Sequence, residues 1–283
     1  MRRVTGCLLS AAIFAGAGCV PPKRVERPPY YGPTLDLPSL VEKINSTNGR
    51  LKTLRAEGTF SPDLVDPRTK EHIRNGGDLV LLYRPNLDFR LVGKVLGRRV
   101  FDIGSNASDY WMLLSEQKEL YHGTHAGDAS NSPLPIRPEL LPQVLGVTPL
   151  DDDLLAQPSP VLRFDHDADA YVLTWHVRMR DRFAVLKEVR YDRQTLRPGT
   201  ILLYDANGRV VLRAKLSEPK PIEGYNPPLA IATRYDLFFP DTGSTFDLRL
   251  KEMERDRDGV PGDENFEYPA DQPGDVRKVE LDR

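Results

Sequence analysis

Between Gly77 and Gly123 the chain carries four or five short runs rich in Val, Leu, Phe, Tyr and Trp, broken by Arg-Pro-Asn, Leu-Gly-Arg, Gly-Ser-Asn-Ala-Ser and Ser-Glu-Gln-Lys-Glu. Each run has the length of one strand and each break offers residues that turns need, so the spacing predicts an antiparallel meander. In the first of these strands apolar residues occupy both parities, Leu79, Leu81 and Tyr83 on one and Val80 and Leu82 on the other, which predicts cover on both faces. No nucleophile set, metal cluster or phosphate loop lies in the stretch, so it reads as a surface that holds something apolar.

The second half returns to strands with cleaner alternation. Tyr171, Leu173, Trp175 and Val177 oppose Thr174, His176 and Arg178. Val210, Leu212, Ala214 and Leu216 oppose Arg213 and Lys215, and Phe246, Leu248 and Leu250 oppose Asp247, Arg249 and Lys251. Such alternation marks a sheet with one wet and one apolar face. Asn207-Gly208 is the strongest hairpin signal in the chain. Helical spacing appears twice. Leu40, Val41, Ile44, Leu51 and Leu54 follow a capping Ser39, with Asn48-Gly49 as an interruption; Ile136, Leu140, Leu141, Val144 and Leu145 are flanked by prolines and closed by Gly146.

The first residues hold two arginines, an apolar run from about Cys7 to Ala17, and then small residues. A run of about ten apolar residues is too short to span a bilayer and reads as a secretory signal over residues 1–18. Two cleavage readings stand: Gly16-Ala17-Gly18-Cys19 as a lipobox with Cys19 lipidated, and Ala15-Gly16-Ala17 as a plain A-x-A site. Cys7 and Cys19 are the only cysteines, so the body of an exported chain has no disulfide, and acyl attachment accounts for Cys19. Residues 19–38, Pro-rich, read as a tether, 39–253 as one domain, and 254–283, where apolar content collapses, as a polar, flexible tail. A net charge of -2 gives no electrostatic case for nucleic acid.

Candidate chemistry is sparse. His122 and His125 form H-x-x-H without a third ligand at a recognised spacing, and Asp165, Asp167 and Asp169 read as a polar hairpin turn. Glu254 to Gly259 resembles the opening of a calcium loop, but Asn265 stands where the bidentate Glu belongs. No nucleophile elbow, P-loop or dinucleotide fingerprint occurs, so the expectation is a non-enzyme with no catalytic residue, no metal and no cofactor.

The order of elements carries a resemblance. A lipobox-like leader precedes a helix that exits through Leu51, Thr53, Leu54 and Ala56. A Gly-x-Leu strand then ends in Arg84-Pro85, an Asp-Phe-Arg-Leu strand spans Asp88 to Leu91, and a Gly-Ser-x-x-x-Asp-Tyr-Trp segment runs from Gly104 to Trp111. This is similar to the LolA/LolB-like superfamily of periplasmic and outer-membrane lipoprotein carriers, over about residues 39 to 250. The resemblance implies an α+β fold, mainly β, in which a curved antiparallel sheet forms an unclosed half-barrel with helices plugging its concave face. It also implies an outer-membrane lipoprotein facing the periplasm, acylated at Cys19 with chains such as palmitate. The chain departs from the pattern in its long polar tail and in lacking a match to the arginine that locks the carriers' helices.

The function expected on that basis is binding of a lipid or lipoprotein acyl chain, as carrier or sensor. Leu81, Tyr83, Phe89, Leu91, Phe101, Trp111 and Trp175 are the expected lining, with core filler as the other reading of Trp111. The alternative is a non-catalytic scaffold or assembly lipoprotein with a fully packed core, docking an envelope protein partner.

Overall fold

The computed structural model describes residues 32–65, 69–126, 137–255, 262–270 and 275–282; the leader, Cys19, Ile136, most of the Pro-rich tether and much of the calcium-like loop lie outside them. Helix α1 spans Leu37–Asn48 and is capped by Asp36, whose side chain accepts from the Ser39 amide at 3.0 Å, so capping falls three residues before Ser39. Leu40, Val41 and Ile44 form its buried face. Leu51 and Leu54 are buried too, but beyond the helix, which stops at Gly49.

The first meander comprises β1 (Leu54–Val65), β2 (His72–Ile73), β3 (Gly77–Tyr83), β4 (Phe89–Val95), β5 (Arg98–Ser105), β6 (Asp109–Leu114) and β7 (Glu119–Thr124). A 3₁₀ turn, Pro138–Leu140, leads into α2, Leu141–Val144. The second meander comprises β8 (Ser159–Asp165), β9 (Ala170–Arg178), β10 (Phe183–Asp192), β11 (Pro198–Tyr204) and β12 (Val210–Ser217). Then follow β13 (Lys220–Pro221), β14 (Ala230–Ile231), β15 (Arg234–Phe239), β16 (Ser244–Glu254) and β17 (Arg277–Glu280).

Fifteen strands make one sheet, ordered β17-β7-β6-β5-β4-β3-β1-β16-β15-β12-β11-β10-β9-β8, with β2 paired to β1. All its ladders are antiparallel except β17 on β7, and the two ends do not meet, so the sheet is not closed into a barrel. The meanders are joined by the β1–β16 ladder, from Arg55↔Glu254 to Asp63↔Thr245. Asn207-Gly208 does turn a hairpin, but through a longer loop than the two-residue turn its pattern favours: Tyr204 pairs with Val210, and Asp205 accepts from the Asn207 and Arg209 amides, each at 2.9 Å.

Cross-strand registers assign the faces. Leu54, Tyr83 and Phe89 align, as do Ala56, Leu81, Leu91 and Ile103, and in the second meander Leu173, Val189 and Ile201. These belong to one buried cluster that also takes in Leu40 and Ile44 of α1 and Val144 and Leu145 from α2 and its C-terminal end. This is the inner face, the one on which the helices pack.

The outer face of the first meander carries Arg90, Asp102, Trp111, Leu113 and Leu120, one residue out of phase with the inner set. It is covered by the C-terminal residues, which composition assigned to a flexible tail; the described parts, 262–270 and 275–282, are packed instead. Phe266 is 1% exposed beneath the Arg84 guanidinium, 4.8 Å from its ring centre. Arg90 donates to the Asn265 carbonyl at 2.9 Å and Asn106 to the Phe266 carbonyl at 3.0 Å. Tyr268 lies edge-on to Trp111, while Leu281 packs against Tyr110 on the opposite face of the sheet. Few apolar residues are needed because the attachment is made by directed polar contacts, which hydropathy does not register.

Candidate functional site

A cavity of about 690 Å³ lies where the helix layer meets one end of the second meander. Its apolar part comes from Leu51 after α1, Leu145 and Val147 after α2, Leu216 at the end of β12, and Leu229 and Ile231 around β14. Gly146 makes this junction possible. It adopts φ +69°, and a Cβ there would sit 2.5 Å from Cγ of Pro198. The volume falls within the roughly 300–1,000 Å³ of small-molecule sites.

The rim is polar. Arg50 and Arg197 border the cavity with Asp192 and Glu218. Arg50 donates to the Pro227 carbonyl. Asp192 is engaged by its own turn, accepting from the amide and hydroxyl of Thr195, both at 2.8 Å.

Beneath α2 a second, small void of about 10 Å³ is bordered by Gln143, Gly146, Tyr191 and Lys187. Lys187 is the exceptional residue of the inner face. Its ammonium donates to Oε1 of Gln143 at 2.8 Å and stands 4.1 Å from the centre of the Trp175 ring. Burial disfavours the charged form and pulls the amine down to about 8. Nearby, burial also raises the Tyr191 phenol. The sequence marked Trp175 but not Lys187, because hydropathy passes over a lysine even where it stands in step with the inward Val189 and Tyr191.

Of the seven residues expected to line an apolar site, Leu81, Tyr83, Phe89, Leu91, Phe101 and Trp175 share the inner-face cluster, all buried. None of them borders the large cavity. Trp111 faces the other way. It is fully buried, but with Leu113 and Leu120 on the outer face, beneath Tyr268 and Val276. It pairs across the ladder with Gly104, where a Cβ would lie 2.3 Å from the indole, so the glycine is the floor on which the ring lies. A shift of one residue in register separates a lining position from this one.

The histidines do not converge. His122 lies between Asp109 and Glu280, at 2.8 Å from each, with the Tyr268 ring tilted against it at 4.3 Å between centroids, whereas His125 sits 2.8 Å from the Asn106 carbonyl oxygen. Burial opposes charge on His122, but the hydrogen bonds and attraction of its two carboxylates outweigh it and hold the imidazole above its ordinary range. Asp169 pairs with Arg193 at 3.2 Å and Asp165 accepts from the Ala168 amide at 3.1 Å, as in a closed polar turn. Among the described residues no group of three or more His, Cys, Asp or Glu is placed to hold a metal, and no helix is long and apolar enough to cross a membrane.

No family model matches the chain, and no curated protein matches it in sequence. Solved structures do resemble it. One is a DUF1329 family protein from Desulfovibrio piger, at TM-score 0.55 and 14% identity, covering 83% of this chain and 97% of that one. A LolA superfamily protein from Nitrosomonas europaea matches at TM-score 0.52 and 15% identity, covering 83% and 99%. A domain from Vibrio parahaemolyticus described as outer membrane lipoprotein-sorting matches at TM-score 0.50 and 13% identity, covering 80% and 94%. At such identities the likeness concerns the fold, and the fold is LolA-like.

Proposed function

We propose that this is a non-catalytic cell-envelope lipoprotein that holds a lipid or lipoprotein acyl chain between its helices and its sheet, as carrier or sensor. The observation that carries the reading is the 690 Å³ cavity at the junction of α1, α2 and the inner face, with apolar walls and a polar rim. An acyl chain is retained by buried apolar area, at about 25 cal/mol per Å², and needs few directed contacts. In this reading the sheet is a half-barrel, the helices close its concave side, and Leu81, Tyr83, Phe89, Leu91, Phe101 and Trp175 continue the apolar floor that a bound chain reaches when the helices part.

Two features support a membrane setting. The leader ends in Cys19, where acylation would tether the domain to the periplasmic face of an outer membrane. The tip of the β4–β5 hairpin presents Leu96, 99% exposed and at φ +50°, between Lys94 on one side and Arg98 and Arg99 on the other. A leucine in that conformation is strained and packs against nothing, whereas a lipid surface would take its side chain and its basic neighbours together.

Native mass spectrometry of protein purified without detergent tests the reading. A co-purifying lipid that is lost on Ile231→Asp, with the fold intact, is the expected result; a clean apo mass with no uptake of a fluorescent fatty-acid probe would overturn it. A scaffold or assembly lipoprotein with a packed core is the second reading, and it draws on a different observation: six of the expected lining residues are already buried against other side chains. Recovery of a stoichiometric envelope partner by an apo protein would favour it.

A further inference from the structure

On β10 the ladder to β9 shifts register: Val185 pairs with His176, and the next pair is Lys187 with Trp175. Leu186 is left out of the pairing, and Lys187 stays in step with the inward Val189 and Tyr191. Beside the bulge the inner face thus carries a lysine, at a position whose neighbours across the strands are Trp175 and Leu203. Bulges that re-aim a single side chain are found beside functional sites.

The lysine so placed has little to hold it. An ammonium has three donors, and Lys187 uses one on Gln143, with the Trp175 ring as its second contact. No carboxylate pairs with it among the described residues, and the half-buried ammonium has donors to spare. The void beside it has room for about one water, and Gly146 borders both that void and the large cavity.

Resting on the acyl-binding reading above, we propose that, when α2 lifts from the sheet, Lys187 anchors the carboxylate of a free fatty acid whose hydrocarbon tail then reaches past Gly146 into the large cavity. The carboxylate takes the place of the Gln143 oxygen as acceptor, and the Gln143 amide turns to donate to it. Ester- and amide-linked acyl chains carry no charge and gain nothing from the ammonium. A phosphate head brings more charge and more acceptors than one lysine and one amide can satisfy. The site thus selects a single small anion on a long apolar tail.

The test titrates the full chain, freed of bound lipid, with oleate, oleyl alcohol and oleoyl lysophosphatidic acid, read by the tryptophan fluorescence of a Trp111→Phe background in which Trp175 is the one tryptophan. The wild type is expected to bind oleate at least about tenfold tighter than the alcohol, the effect of one charge-assisted hydrogen bond in a dry site. Lys187→Met is expected to abolish that preference and leave alcohol affinity unchanged. Equal binding of oleate and alcohol by the wild type, or a preference retained in Lys187→Met, overturns the anchor and leaves the acyl-binding reading standing. Tighter binding of the lysophosphatidic acid than of oleate overturns the carboxylate assignment. Failure of the wild type to bind any of the three overturns both readings.

Discussion

The two meanders turn similar faces inward and opposite kinds of face outward. In the second meander and the adjoining β15 the outer face is wet: Arg213 and Lys215 are exposed, and Arg190 with Glu188 and Arg234 with Asp236 form ion pairs at 3.1 Å and 2.9 Å within the surface. In the first meander the outer face is dry over β5 and β6, while β1 keeps Arg55 and Glu57 exposed. Asp102 is wholly buried there between Arg90 and Arg99, at 2.7 and 2.8 Å, and Trp111 lies under the C-terminal residues. A single-faced sheet can hold a cavity on its apolar side while its wet side tolerates change; a double-faced sheet is fixed on both. The first meander is thus packed on both sides of β5 and β6, and the cavity lies at the second.

The largest effect that sharpens this contrast is Trp111→Ala, expected to cost about 3–5 kcal/mol, against less than about 0.5 kcal/mol for Lys215→Ala. Chemical denaturation of both variants measures the difference, and similar costs would break the comparison. Asp102→Asn is expected to cost about 2–3 kcal/mol, discounted from the fully buried case because Arg99 keeps solvent exposure, and Asp236→Asn less than about 1 kcal/mol.

Lys187→Met should act in the opposite direction. Because burial lowers this amine, the folded state bears the cost of its charge below about pH 8 and is relieved of it as pH rises toward the ordinary value of 10.5. Since the residue keeps some accessible area, the variant is expected to be more stable by about 1–2 kcal/mol at pH 7, with the gain fading by about pH 10.5. A gain independent of pH would assign it to packing.

His122 has the opposite sign. Its imidazole is raised above 6.5 in the folded state, so the stability it lends to the β17 attachment is present below that value and lost as pH climbs through the folded pKa. Amide exchange across β17 should quicken over that interval, and His122→Gln should remove the dependence at a cost of about 1 kcal/mol. The smallest effect is Leu96→Asn. It relieves a left-handed leucine by a few tenths of a kcal/mol, and it is expected to weaken association with anionic vesicles; unchanged association would remove Leu96 from the membrane reading.

Much of the element list was legible in the sequence. Alternation in β9, β12 and β16, the turn at Asn207-Gly208 and the helical stripe of Leu40, Val41 and Ile44 are local patterns, and a local periodicity is visible wherever one face is buried. The order of those elements also pointed to the LolA-like fold. What tertiary structure decided are the features set by pairing between distant residues. The β1–β16 ladder joins the meanders, register with Gly104 turns Trp111 outward, and docking of the C-terminal residues rests on the hydrogen bonds and ion pairs of Arg84, Arg90 and His122. The bulge between Val185 and Lys187 belongs with them. A period of two says that successive residues face opposite ways; which way is inward, and where the count slips, depends on the partner strand.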